Sequence, residues 1–364
     1  MKVKDVAEIL EELAPLAYAE DFDNVGLLVG DLDMSVTNIL VALDSLENVI
    51  DEAIGKSCNL IISFHPILFK GIKSLTGSNY VERAIIKAVQ NNISIYCMHT
   101  ALDNAIEGVN AKICEVLEVK NARILIPQQG TIKKLTTYVP RTHSKVLLEG
   151  LFKAGAGSIG NYSECSFTVD GTGSYKAGRN ANPVKGKKGE LHLEEETQIN
   201  VTFPKSKEKS VLTALFEHHL YEEVAYEIST LDNVNSQIGM GMIGELELPQ
   251  AEQDFLDILK KKMNVSCIRH SDFLGKKIHK VAVLGGSGAF AISAAKKSGA
   301  DIFITSDIKY HQFFEAENKI LLADIGHYET EQFTKNLLVD YLTKKMPNFA
   351  ISLSESITNP IKYY

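Results

Sequence analysis

The stretch Lys280–Asp307, KVAVLGGSGAFAISAAKKSGADIFITSD, decides the fold class. Lys280 to Leu284 is a short apolar run and predicts a buried strand. Gly285-Gly286-Ser287-Gly288 interrupts it, Ala289 to Lys297 has apolar residues at helical spacing, and Asp301 to Thr305 is a second apolar run. Strand, helix and strand joined by such short connections argue for a largely parallel sheet flanked by helices. The pattern runs on through a helix at Tyr310 to Ala316, a strand at Ile320 to Ala323, a helix at Thr330 to Leu342 and a late strand at Phe349 to Leu353.

Towards the N-terminus the same alternation returns. Helices are predicted at Val3 to Leu13, Glu47 to Ile54, Val81 to Val89 and Val109 to Val116. Strands are predicted at Thr37 to Leu43, Asn59 to Ser63 and Ile93 to Cys97. The middle of the chain differs. Strands at Thr131 to Val139 and Gln198 to Phe203 flank a Gly-, Lys- and Asn-rich loop, Gly171 to Gly189, and a helix at Ser210 to His218 precedes a strand at Glu222 to Ile228. This is α+β grammar without strict alternation. The expected architecture is an α/β core made of residues 1–130 and 234–364, split by an inserted α+β domain at 131–233. The borders lie in the turn-rich Pro127 to Gly130 and the stretch Asp232 to Gly244.

Composition excludes several classes. The 364 residues are 45% hydrophobic, enough chain to bury large cores without covalent staples. With 38 Lys and Arg against 46 Asp and Glu, the net charge is −8, which gives no nucleic-acid signal. Apolar runs such as Ile39 to Leu43 are too short to span a bilayer. Met1 to Glu20 carries acids within its apolar pattern, so no secretory signal is expected. Five scattered cysteines without a CxxC pair fit a reducing, cytoplasmic compartment and argue against a zinc ribbon.

Four clusters of histidine and carboxylate follow directly after predicted strands: His65; His99 with Asp103; Asp307 with His311; and His327 with Glu331. Ligands of open α/β sheets bind beyond the carboxyl ends of strands. The three pairs are each spaced by four, so on a helix both members would share one face. Imidazole with carboxylate suits a divalent ion such as zinc, iron or manganese. Each residue also has an ordinary explanation as a cap, turn or surface group; jointly they point to a metal site. The Gly285 to Gly288 turn could seat a phosphate, and it approximates a dinucleotide fingerprint, although a tight turn explains it as well. Asp23-Asn24-Val25-Gly26 reads as an ordinary turn.

Several motifs together resemble one family. Asp21-Phe22-Asp23-Asn24-Val25-Gly26-Leu27-Leu28-Val29-Gly30, Phe64-His65-Pro66, His99-Thr100-Ala101-Leu102-Asp103, Thr305-Ser306-Asp307 with Tyr310-His311, and Gly326-His327-Tyr328-Glu329-Thr330-Glu331 occur in order along nearly the whole chain. They resemble the GTP cyclohydrolase 1 type 2 homologue family, the NIF-three-like proteins. Gly171-Thr172-Gly173, Asn180-Ala181-Asn182-Pro183 and His219-Leu220-Tyr221-Glu222-Glu223 resemble the PII-like (CutA-like) insert of its longer members, a ferredoxin-like α+β domain.

The resemblance implies a site for two metal ions. His65, Asp103 and Glu331 would hold one; His327 and a bridging Glu331 would help hold the second. Phe64 stands where the family carries a further histidine, so one ion is expected to be held tightly and a second weakly at most. His99 would be an extra ligand or the proton shuttle. Asp307 and His311 would support the ligands or touch substrate, and Gly286, Ser287 and Gly288 would seat a phosphate. The expected activity is a metal-dependent, GTP cyclohydrolase-like hydrolysis of a nucleotide-like heterocycle, a small-molecule substrate; the alternative is a non-enzymatic metal- or ligand-binding scaffold. The family also implies a homohexamer, with no membrane partner.

Overall fold

Leu60-Ile61-Ile62-Ser63 is buried at every residue, as are Ile39–Ala42 and Ser94–Cys97. Such continuous apolar runs suit strands covered on both faces. In the computed structural model, which describes residues 1–364, they form the centre of a five-stranded sheet in the order Gly26–Val29, Ser94–Cys97, Leu60–Ser63, Ile39–Ala42, Ile351–Leu353. Only the pair of Gly26–Val29 with Ser94–Cys97 is antiparallel.

A second sheet has six strands in the order Arg269–His270, Leu321–Asp324, Ile302–Ser306, Lys277–Ser287, Gly239–Ala251, Lys120–Pro127. Its middle pairs are parallel, whereas both flanks are antiparallel. The sheets are therefore mixed, and the expectation of largely parallel sheets is corrected. An apolar run specifies a buried strand; the direction of its neighbour depends on distant chain. One hydrophobic cluster joins the two sheets, with Val41 and Ile62 from the first, Val283 and Ile304 from the second, and Ile113 and Leu338 from the helices Val109–Leu117 and Thr334–Lys345. The carboxyl ends of strands from both sheets thus belong to one packed unit, Met1–Pro127 with Ser236–Tyr364.

The second unit is Gln128–Asn235. Its elements run strand Ile132–Pro140, helix Ser144–Lys153, strands Phe167–Lys176 and Leu191–Pro204, helix Glu208–His218 and strand Tyr226–Leu231. The spatial order, with the first and third strands in the middle and the second and fourth at the edges, is that of a ferredoxin-like βαββαβ unit. Leu135, Val139, Ile199, Val201 and Phe203 point to one face and pack on Leu147, Leu151, Val211 and Leu215 of the two helices. The first part of the expected Gly171–Gly189 loop, up to Lys176, belongs to an edge strand: Phe167–Lys176 is paired residue by residue with Leu191–Asn200. It is exposed almost throughout, so it lacks the apolar alternation that marks a strand. The strand Gly239–Ala251 likewise occupies part of the expected border at Asp232–Gly244. No helix is long and apolar enough to cross a membrane.

Candidate metal centre

His65 follows the strand Leu60–Ser63, and its imidazole is clamped from one side. Its Nδ1 lies 2.8 Å from Asp44 Oδ1, and Thr358 Oγ1 donates to the other oxygen of Asp44. This leaves Nε2 directed at Glu331, 3.0 Å from Oε2. Glu331 and His327 sit on the one-turn helix His327–Glu331, which starts three residues after Leu321–Asp324. On that turn His327 Nε2 comes within 3.2 Å of the same carboxylate oxygen. The Nδ1 of His327 is held 2.7 Å from Asp307 Oδ2, and Ser287 Oγ donates to that carboxylate. Both histidines therefore have Nδ1 tied to a carboxylate and Nε2 turned to a common point, the arrangement that orients metal-binding imidazoles.

The electrostatics of this point are those of a cation site. Burial disfavours protonated His65, but the Glu331 charge and the Asp44 hydrogen bond outweigh it and raise its pKa to about 10. His327, opposed in the same way by burial, is raised to about 9 by Glu331 and Asp307. Burial would push Glu331 up, yet the two imidazoles hold it down at about 2. Asp103, on the one-turn helix His99–Asp103, is pushed well above the carboxylate range, first by burial and then by the Glu331 charge. His65 Nε2, Glu331 Oε2 and Asp103 Oδ1 are buried without a hydrogen-bond partner. Unpaired buried polar atoms are costly, and a divalent ion among them would remove that cost. The ligand atoms of His65, His327 and Glu331 lie within 4.8 Å of one another. This tight group differs from the expected first set of His65, Asp103 and Glu331: His327 stands inside it and Asp103 beside it. Cysteine takes no part, because Cys97 Sγ donates to the Phe64 carbonyl and burial raises its thiol pKa.

Next to this group lies a second imidazole–carboxylate pair. His99 Nδ1 is 2.7 Å from Asp23 Oδ1, and the other Asp23 oxygen accepts from the Thr100 backbone N–H. Burial works against the Asp23 charge, but the hydrogen bonds from His99 and Thr100 prevail and its pKa falls to about 2. The rings of His99 and His65 are 5.6 Å apart. Phe69 packs edge-on against His99 at 6.3 Å, and Phe22 lies 6.5 Å from Phe69; both phenylalanines are largely exposed. Asp23 and Asp44 escaped sequence reasoning, since each looks like an ordinary turn residue. The one available signal was Asp23 in the family-like Asp21–Gly30 stretch.

The full-length comparisons agree on one family. Residues 1–360 match the profile of Duf34/NIF3 (NGG1p interacting factor 3). The chain belongs to the DUF34/NIF3 family. A Bacillus subtilis relative named "GTP cyclohydrolase 1 type 2 homolog" is 36% identical over 370 residues, covering 99% of this chain and 98% of the relative. Among solved structures, a Bacillus cereus protein related to NIF3 superposes with a TM-score of 0.83 at 34% identity, covering 100% of this chain and 99% of the other. A Staphylococcus aureus protein gives a TM-score of 0.78 at 30% identity, covering 100% and 99%.

Within this NIF3 fold one expectation fails. His311 does not share a helical face with Asp307. Asp307 lies before the short 3-10 helix Tyr310–Ala316 in a left-handed conformation (φ 58°), which serves its contact with His327, while exposed His311 packs on Tyr310 and Phe314. At the glycine-rich segment, two backbone N–H groups are already engaged. The Gly285 N–H donates to Asn110 Oδ1 and the Gly286 N–H to Thr330 Oγ1. A Cβ at Gly286 would lie 2.4 Å from Glu331 Oε1, and one at Gly288 would lie 2.1 Å from Thr305 Oγ1. These glycines are needed so that the strand end can press against Glu331 and Thr305. Phe64 is fully buried in the core, its ring 5.0 Å from that of His65 and 5.6 Å from that of His99.

Proposed function

We propose that this chain is a divalent-metal-dependent hydrolase acting on a flat, nucleotide-like heterocycle, in the manner of a GTP cyclohydrolase. The observation that carries this reading is the meeting of His65, His327 and Glu331 beside an independent His99–Asp23 pair. A bound zinc, iron or manganese ion would supply a water acidified towards neutral pH. Asp44 and Asp307 keep the two ligand imidazoles turned with Nε2 inward. His99, with Nδ1 engaged by Asp23, retains Nε2 to take or give a proton at the reacting atom. The exposed rings of Phe22 and Phe69 offer a flat apolar wall on the His99 side, suited to a planar base. In a cyclohydrolase reaction, water would add at C8 of guanine and open the five-membered ring. The names of the relatives support that direction.

The test loads the protein separately with Zn²⁺, Fe²⁺ and Mn²⁺ and follows GTP and related purine nucleotides by absorbance and formate release. Turnover is expected with at least one metal. His99→Ala should lose it while keeping the metal. Absence of turnover under all three metals would favour the second reading, a metal- or ligand-binding scaffold. Phe64 favours that alternative, because it replaces a donor with a buried phenyl ring. On either reading we place the protein in the cytoplasm as a homohexamer, with the insert as a PII/CutA-type sensing module.

A further inference from the structure

We infer that the Gln128–Asn235 unit carries a separate ligand site, a cavity of about 540 Å³ that accepts a small organic cation with a flat apolar body, such as an amidinium or a protonated arylalkylamine. The volume is in the range of small-molecule pockets. Its walls combine the tyrosines Tyr138, Tyr175 and Tyr221 with Val169, Pro183 and Val184. The charged side chains on its lining, Asp170, Glu196, Glu222 and Glu223, are all acidic, and no Lys, Arg or His lines it.

These acids are not equivalent. Asp170 is paired with Arg141 and accepts from Thr197. Glu222 accepts from the Asn182 backbone N–H. Glu196 has no basic partner: its Oε1 accepts from the Tyr221 hydroxyl at 2.8 Å. The other oxygen lies over the neighbouring strand, 1.9 Å from where a Cβ at Gly173 would stand. A glycine at 173 is therefore what lets this carboxylate lie flat on the sheet. Burial and the Glu196 charge both raise the Tyr221 pKa, so the phenol stays protonated and donates. The rings of Tyr175 and Tyr221 are 6.0 Å apart at 66°. Aromatic faces beside an uncompensated carboxylate attract a cation, and the surrounding acids repel anions such as nucleoside triphosphates. Gly171 opens onto the cavity, with no atom within 4 Å of a built Cβ.

The experiment titrates full-length protein with benzamidine by calorimetry, with benzoate and ATP as anionic controls. Wild type should bind one benzamidine per chain. Glu196→Gln, which keeps an acceptor for Tyr221, should weaken binding at least tenfold. Gly171→Val, which places a strand-compatible side chain in open space, should abolish it. Both variants should melt close to wild type, and Glu331→Gln should bind benzamidine as wild type does, separating this site from the metal centre. No saturable binding by wild type, undiminished binding in either cavity variant, lost binding in Glu331→Gln, or tighter binding of benzoate or ATP would overturn the assignment.

Discussion

His65 Nε2 and Glu331 Oε2 lie 3.0 Å apart, although one residue follows a strand of the five-stranded sheet and the other a strand of the six-stranded sheet. Neither atom has a well-formed hydrogen bond. Two sheets packed on one core hold them there, and the pair makes sense as ligands of a common ion. His65→Ala and Glu331→Ala should each lose bound metal, read as ions per chain by elemental analysis. Full metal content in both variants would sink the site.

On the proposed reading, Asp44 orients a ligand imidazole and Asp23 backs the imidazole that handles the proton. Asp44→Asn should weaken metal affinity by about 10- to 100-fold, the usual effect of loosening the group behind a ligand histidine. Asp23→Asn should leave metal affinity near wild type and lower kcat. A common loss of metal in the two variants would show that His99 is a ligand.

Phe64 packs beside His65 and His99, and on the proposed reading an imidazole in its place would add a donor. Metal titration should give close to one ion per chain for wild type and close to two for Phe64→His. Two ions of comparable affinity in wild type would mean that His99 or a non-protein ligand supplies the missing donor.

The insert should be separable. Pro127 is the register partner of Gly239, so the chain leaves and re-enters the core at neighbouring positions of one sheet. Replacing Gln128–Asn235 with a short Gly/Ser linker should give a folded, metal-binding remainder by circular dichroism and elemental analysis. A metal-free or insoluble product would count against it.

Glu52 ties the C-terminal segment to the core. Burial opposes its charge, but Lys56, Ser356 and Ser354 hydrogen-bond it and lower its pKa to about 2 from 4.5. The folded pKa is depressed, so this contribution is fully present above about pH 4.5 and fades as pH falls towards 2. Glu52→Gln should lower Tm at pH 7 by roughly 3–6 °C, in line with one to two kcal/mol. The gap to wild type should shrink below pH 4.5; a constant gap would contradict the assignment.

The sequence by itself determined the buried strands and the family. Runs such as Leu60–Ser63 and Ile302–Ser306 are short and largely apolar, as buried strands are, but the strand expected to stop at Leu284 runs on through Gly285 and Gly286 to Ser287, with its register shifted after Val283. His65, His99, His327 and Glu331 were legible because each follows such a run. Only the tertiary structure decided which neighbours are antiparallel, since strand direction is set by the path of the chain between runs. Only it brought Asp44 and Asp23 behind the imidazoles, because a turn carboxylate reveals its partner when distant chain reaches it. It also set Gly286 in close contact with Glu331, and sent His311 to the surface. Periodicity reports which side of an element is buried; which ionisable groups share a buried point depends on contacts across the whole chain.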